Sequence, residues 1–306
     1  MASANAQASR NAGEIRAPLL DSLVAGQIHA IDCVAKERAA LAGAARMVAA
    51  ALQSGGRLLY LGAGSSGLLA TQDGLELPGT FGLDPARVRF VTPNGERFLV
   101  DGAGEDDERA AVEAVDDLKP GPNDAAIAVS ASGSTPFTVA GARRVKAAGA
   151  RLVAVVCRAG SPLAAIADAA AVFDIGAEAV EGSTRLAAGT AQKAALGVLS
   201  TLAAAEVGWV HDGLMVNLRA DNAKLRARAE GIVARLAAVG ESAAAAALDE
   251  AQNDVPVAVA AAAGRLDAAR AYALVAECGR DLSRILARLR GADADVNSSA
   301  GMKPGE

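Results

Sequence analysis

Five short, almost unbroken apolar runs, each closing on Gly, Pro, Ser or Ala, constrain this chain more than any other feature: RLLYLGAG (57–64), ARVRFVTP (86–93), DAAIAVSASG (124–133), ARLVAVVCRAG (150–160) and AAVFDIGA (170–177). Helical stretches lie between them, notably Asp106–Leu118 and Thr135–Ala148. A strand that is apolar at nearly every position must be covered on both faces, and strands alternating with helices give a parallel sheet between two helical layers. The reading is an α/β, doubly wound, mostly parallel sheet over 48–217. Only 3% of the residues are aromatic although 52% are hydrophobic, so Ala, Val and Leu must build the core.

The flanks read differently. From Leu19 to Gln53 apolar residues recur at helical spacing (Leu23, Ile28, Ile31, Val34; then Leu41, Ala45, Val48, Leu52), which predicts two helices in a segment of 1–47. Beyond the sheet, 218–306 is helical again: Lys224–Val239, ESAAAAALDEAQ, DVPVAVAAAAG and LDAARAYALVAECGRDLSRILARL. Breaks at Gly240 and Asn253-Asp254 predict a small three-helix bundle that serves packing or dimerisation. The small polar residues of 1–14 and of DADVNSSAGMKPGE (293–306) read as unordered ends.

Open α/β sheets bind ligands beyond the carboxyl ends of their strands. Two such ends stand out. In YLGAGSSG, Gly62, Gly64 and Gly67 let the backbone approach a ligand, and Ser65 and Ser66 are placed to cap a helix. In VSASGSTP, Ser130, Ser132, Gly133, Ser134 and Thr135 gather hydroxyls and amides before Pro136, which suits a helix start. Exposed amides at the positive end of a helix form an anion site. GAGSSG also fits the dinucleotide spacing, but the second run ends in Thr92-Pro93-Asn94 and brings no acid to hold a ribose. A hydroxyl-rich second loop suits a sugar phosphate better.

Two acids follow these loops. Glu76 stands among Leu75, Leu77 and Pro78, surroundings expected to desolvate it and raise its pKa for proton transfer. Glu105 leads the cluster Glu105, Asp106, Asp107, where an acid also suits the first turn of a helix. A third stretch, EGSTRLAAGTAQK (181–193), sets Ser183, Thr184 and Arg185 on a turn before an apolar helix that carries Thr190, Gln192 and Lys193. Buried polar groups there need partners, which a ligand or a second copy can supply.

Other classes fit poorly. There is no Gly-x-Ser-x-Gly elbow and no Walker lysine. Cys33, Cys157 and Cys278 are far apart, with only His29 and His211 to join them, so no metal site is expected. A net charge of −5 with scattered basic residues predicts neither nucleic acid nor a membrane surface as partner. No charged-then-apolar leader opens the sequence, and the expectation is a cytoplasmic protein.

GAGSSG, ELPGTFG, GEDDERA, SASGSTP, EGSTRLAAGTAQK and LMVNLRADNAKLRARA, in this order over about residues 45–290, resemble the N-acetylmuramic acid 6-phosphate etherases of the sugar-isomerase (SIS) superfamily. The resemblance implies a SIS-type fold and a cofactor-free lyase of peptidoglycan recycling. In that reaction a base takes the C2 proton of the open-chain sugar, D-lactate leaves C3, and water adds to give N-acetylglucosamine 6-phosphate. The family's acids fall on Glu76, assigned the proton transfers at the leaving oxygen and C2, and on Glu105, assigned an assisting role. Gly64, Ser65, Ser66, Ser130, Ser132, Gly133, Ser134, Thr135, Ser183, Thr184, Arg185 and Lys193 are the implied substrate and phosphate contacts. A homodimer with shared sites is also implied. TQDGLELPG departs from the family's usual lead-in to the first acid. The alternatives are a phosphosugar-sensing regulator without turnover and a phosphosugar isomerase.

Overall fold

A computed structural model describes residues 2–300 apart from 94, 96–103, 219 and 221, with side chains described within 17–291. The chain runs α1 (Ala2–Lys36), α2 (Arg38–Gln53), β1 (Leu58–Gly62), α3 (Gly64–Phe81), β2 (Val88–Val91), α4 (Glu108–Leu118), β3 (Ala125–Ser130), α5 (Pro136–Ala147), β4 (Arg151–Val156), α6 (Pro162–Ile166) and β5 (Ala169–Val172). Four of the five apolar runs contain a whole strand, and β5 begins one residue ahead of the fifth run. The strands pair in parallel in the order β2-β1-β3-β4-β5. After β1 the chain moves outward to β2 and then returns to the other side of β1 for β3. The strand order therefore reverses between β1 and β3, the place where such sheets bind ligands.

Every residue of β1 and β3 is buried, as strands covered on both faces require. Alternate residues serve the two layers: Leu59, Leu61, Ala126, Ala128, Leu152 and Ala154 form one core with Ala111 and Val115 of α4 and Phe137 and Val145 of α5. The amino-terminal end of the central strands is pinned by charge. Buried Asp124, just before β3, accepts from the Arg57 backbone N–H at 2.7 Å and from its guanidinium at 2.7 Å. Burial alone would raise the Asp124 carboxyl, yet these bonds and one from the Gly121 N–H hold it below the usual carboxylate range.

The chain forms two compact units, one of residues 1–75 and 86–202, the other of 76–85 and 203–306. The first holds the sheet and most of α7 (Ala187–Val207). The second holds the end of α3, a hairpin of β6 (Val210–His211) and β7 (Leu214–Met215), and five helices in place of the three expected: α8 (Ala223–Ala237), α9 (Glu241–Glu250), α10 (Val255–Gly264), α11 (Ala268–Glu277) and α12 (Leu282–Ala300). The stretch read as one helix, 266–289, breaks at Gly279 and Arg280, which both take left-handed φ near +62. Asp254 and Asp267 cap α10 and α11 by accepting from the N–H groups of Val257 and Arg270. The ends also differ from expectation, because α1 begins at Ala2 and α12 continues to Ala300, leaving 301–306 outside the described residues. Among the described residues no single helix is long and apolar enough to cross a membrane.

Candidate active site

β1 and β3 end side by side, with Gly62 opposite Val129, so the loops that follow them share one mouth. The first loop is as short as a chain allows. A Cβ on Gly62 would fall 2.9 Å from the Gly67 Cα, and one on Gly67 would fall 2.7 Å from the Gly62 carbonyl oxygen. The first turn of α3 therefore rests directly on the last residue of β1. Gly64 takes φ +55, which strains any side chain. Because α3 begins at Gly64, Ser65 and Ser66 lie inside its first turn and are not caps, a correction to the sequence reading.

The second loop is organised by hydroxyls. Buried Ser130 Oγ lies 3.0 Å from Thr135 Oγ1 and accepts from the Gly133 N–H at 3.1 Å. Ser132 Oγ accepts from the Ser134 N–H at 3.2 Å and from the Ser134 hydroxyl at 3.1 Å. Gly133, at φ +63, cannot take a side chain, since a Cβ there would lie 2.2 Å from Ser161 Oγ. Thr135 occupies the cap position of α5 and Pro136 its first turn. The result is a tight cup of hydroxyls and amides at a helix N-terminus, suited to an anion.

The acidic cluster divides its labour. Asp107 is the plain helix cap, accepting from the Ala110 N–H at 2.9 Å. Glu105 turns the other way. Its carboxylate lies against Gly64, where a Cβ would sit 2.6 Å from Oε1, and its carbonyl accepts from the Phe137 N–H at 3.0 Å. Half-buried Glu105 thus touches the glycine loop with its side chain and the start of α5 with its backbone.

Glu76 departs from expectation. It is exposed, and Leu75 beside it is 56% exposed, whereas Leu77 is buried. Successive residues of a helix turn by about 100°, so leucines adjacent in sequence need not enclose the acid. The desolvating apolar surroundings expected of Glu76 are absent in the single chain. Three residues earlier, Asp73 accepts from the Tyr60 hydroxyl at 2.6 Å and from the Ser200 hydroxyl at 3.0 Å.

The 181–193 string is divided, with Ala187, Ala188, Ala191 and Gln192 buried and its first turn largely exposed. Ser183 and Thr184 bond within their own turn, and Thr184, Arg185 and Lys193 are exposed. Among the described residues no hydrogen bond joins Ser183, Thr184 or Arg185 to the two loops. The start of α7 is already occupied by a carboxylate that the sequence reading missed: Glu178 accepts from the Ala187 and Ala188 N–H groups at 3.0 and 2.9 Å. Thr190 bonds Gln27 of α1. Fully buried Gln192 accepts from the Ser66 hydroxyl at 3.1 Å, while its Nε2 has no acceptor among the described residues. An unmet buried donor costs about 1–3 kcal/mol. The polar residue in an apolar helix was visible in sequence, but its partner 126 positions away was not.

Cys157, half-buried, has its thiol pushed up to about 12 by burial and by Glu178 and Cys33, which keeps it protonated and poorly nucleophilic. Among the described residues no three His, Cys, Asp or Glu side chains converge as a metal site.

A five-stranded parallel sheet whose reversal point carries a glycine loop and a serine loop defines a sugar-isomerase type domain, and the SIS domain family model matches residues 28–157. The comparison with whole proteins goes further. The chain is 41% identical over 244 residues to the N-acetylmuramic acid 6-phosphate etherase of Deinococcus radiodurans, covering 79% of this chain and 80% of that one. It is 40% identical to the Rubrobacter xylanophilus etherase over 75% of this chain and 77% of that one, and 36% identical to the Burkholderia lata etherase over 84% and 85%. The chain belongs to the N-acetylmuramic acid 6-phosphate etherase family.

Proposed function

We propose that the chain cleaves the D-lactyl ether of N-acetylmuramic acid 6-phosphate, giving N-acetylglucosamine 6-phosphate and D-lactate. It is a carbon–oxygen lyase, as its family is. The observation that carries the reading is the Glu105 carboxylate held against Gly64, at the mouth that the serine loop shares. With the phosphate in the cup of Ser130, Ser132, Gly133, Ser134 and Thr135, the carbons of the open-chain sugar extend past Glu105. The C1 aldehyde makes the C2 proton removable, the C3–O bond then breaks with proton delivery to the lactate oxygen, and water adds at C3 of the unsaturated aldehyde. Glu105 and Glu76 are proposed as the acid/base pair, and Glu105 is given direct contact with the reacting carbons where the resemblance implied only assistance. No step calls on a metal or redox cofactor.

A homodimer with shared sites belongs to the same reading. α3 and α7 run side by side, tied by Ser66 to Gln192 and by Asp73 to Ser200. Their outer faces expose Leu68, Leu75, Val198 and Leu202, an apolar surface that a second copy would cover. Such a cover would give Glu76, next to Leu75, the enclosed surroundings it lacks in one chain. A cytoplasmic location completes the proposal. The test is release of D-lactate from N-acetylmuramic acid 6-phosphate by purified protein without added metal or nucleotide. Binding of the sugar phosphate with no lactate formed would overturn the etherase reading and favour a sensor.

A further inference from the structure

We infer that Asn217 and Arg280 are positioning residues for Glu76: they close the carboxyl end of α3 and thereby fix the short segment that carries this acid. The inference rests on the proposal that Glu76 takes part in the reaction. Residues 76–81 read Glu-Leu-Pro-Gly-Thr-Phe and belong to the second compact unit. Within the helix, Pro78 has no N–H to give the Gly74 carbonyl, and Gly79 is the next weakest helix former. α3 is therefore least able to hold itself where Glu76 stands.

The support comes from LMVNL (214–218) and from the break before α12. Gly82, just past α3, takes φ +65, and a Cβ there would lie 2.1 Å from the Asn217 carbonyl oxygen. Buried Asn217 donates from Nδ2 to the Phe81 carbonyl at 2.7 Å, satisfying one of the carbonyls that a helix end leaves open. Its Oδ1 accepts from Arg280 Nε at 2.8 Å. A guanidinium only donates and a carbonyl only accepts, so this amide can face just one way. Arg280 is fixed in turn, because Nη1 and Nη2 donate to Asp254 at 2.9 and 3.1 Å, and Asp254 also caps α10. Arg280 adopts φ +63, a conformation in which glycine is unstrained and arginine is not. What arginine adds at this position is its side chain. The line from α10 through Asp254, Arg280 and Asn217 to Phe81 gives the C-terminal helices a part in presenting Glu76, beyond packing or dimerisation.

The experiment measures kcat and KM for D-lactate release from N-acetylmuramic acid 6-phosphate, and the dissociation constant of N-acetylglucosamine 6-phosphate. The proteins are wild type, R280G, N217A, E76Q, E76Q/R280G and D267A, each with its melting temperature. R280G relieves the backbone while removing the side chain, so it is expected to fold. R280G and N217A are expected to lower kcat about ten- to hundredfold, the scale of a misplacement near 1 Å, with the dissociation constant within about twofold of wild type. Adding R280G to E76Q is expected to cost nothing further, since the arginine acts through that acid. D267A, which removes the cap of α11 from the same set of helices, is expected to lower the melting temperature and leave kcat unchanged. Wild-type kcat in R280G, a further full loss in E76Q/R280G, or an equal loss of kcat in D267A would overturn the inference. If N217A does not fold, R280G decides. Full activity in E76Q, or no lactate from the wild type, removes the reading on which the inference rests and the inference with it; an inactive E76Q beside a fully active R280G removes the inference alone.

Discussion

The two proposed catalytic acids sit in regions built on different terms. Glu105 is held: its carboxylate meets Gly64, its carbonyl caps the start of α5, and neighbouring Asp107 takes over the ordinary duty of capping α4. Glu76 is displayed: it stands on the outer side of α3, exposed, with exposed Leu75 beside it. One acid is therefore seated within the fold of a single chain, and the other is exposed on α3, where the proposed dimer would cover it. The difference teaches that a motif can deliver a carboxylate without delivering the environment that gives it a function.

The strongest way to break this comparison is to remove each charge in turn. Glu76→Gln and Glu105→Gln are each expected to lower turnover by about 10²- to 10⁴-fold while phosphosugar binding persists. D-lactate release and calorimetry measure the two quantities. Full activity in Glu76→Gln would leave Glu105 as the only acid of the pair.

A smaller effect separates the two regions. Gly64→Ala puts a Cβ 2.6 Å from Glu105 Oε1 at a backbone position of φ +55, so it displaces the held acid and leaves the face around Glu76 untouched. The strain is expected to cost about 1–3 kcal/mol of stability, with turnover falling more than sugar-phosphate affinity. Wild-type turnover in Gly64→Ala would mean that the contact between Glu105 and the glycine loop has no bearing on the reaction.

What the sequence shows of this molecule follows the same division. The five strands were legible because a strand buried on both faces must be apolar at nearly every position, and the loops because glycine at Gly64 and Gly133 answers a local backbone demand. The family strings single out the two acids that are proposed as the pair. The face of Glu76 was misread, because leucines on either side in sequence do not surround a helical residue in space. The partners of Gln192 and of the α7 N-terminus were invisible, since Ser66 and Glu178 reach them only through the packing of distant elements. The bundle was undercounted where Gly279 and Arg280 end α11 inside an amphipathic stretch.

A third carboxylate sharpens the contrast by lying away from the proposed site. Asp124 precedes β3, at the end of the strand away from the mouth, and is fixed by Arg57 and the Gly121 N–H, with its carboxyl below the usual range. A carboxyl depressed in the folded state stabilises above its unfolded pKa of about 3.9, and that contribution disappears as pH falls through the folded value. Asp124→Asn is therefore expected to be less stable than wild type by about 2–3 kcal/mol at neutral pH, because it leaves a partly buried guanidinium without its partner. The gap should hold down to about pH 4 and close as the pH falls further, since wild-type Asp124 is then neutral too. Urea denaturation of both proteins at a series of pH values measures it, with turnover at pH 7 unchanged in the variant. No gap at neutral pH, or one that persists unchanged in acid, would show that the tie between Arg57 and Asp124 does not depend on charge.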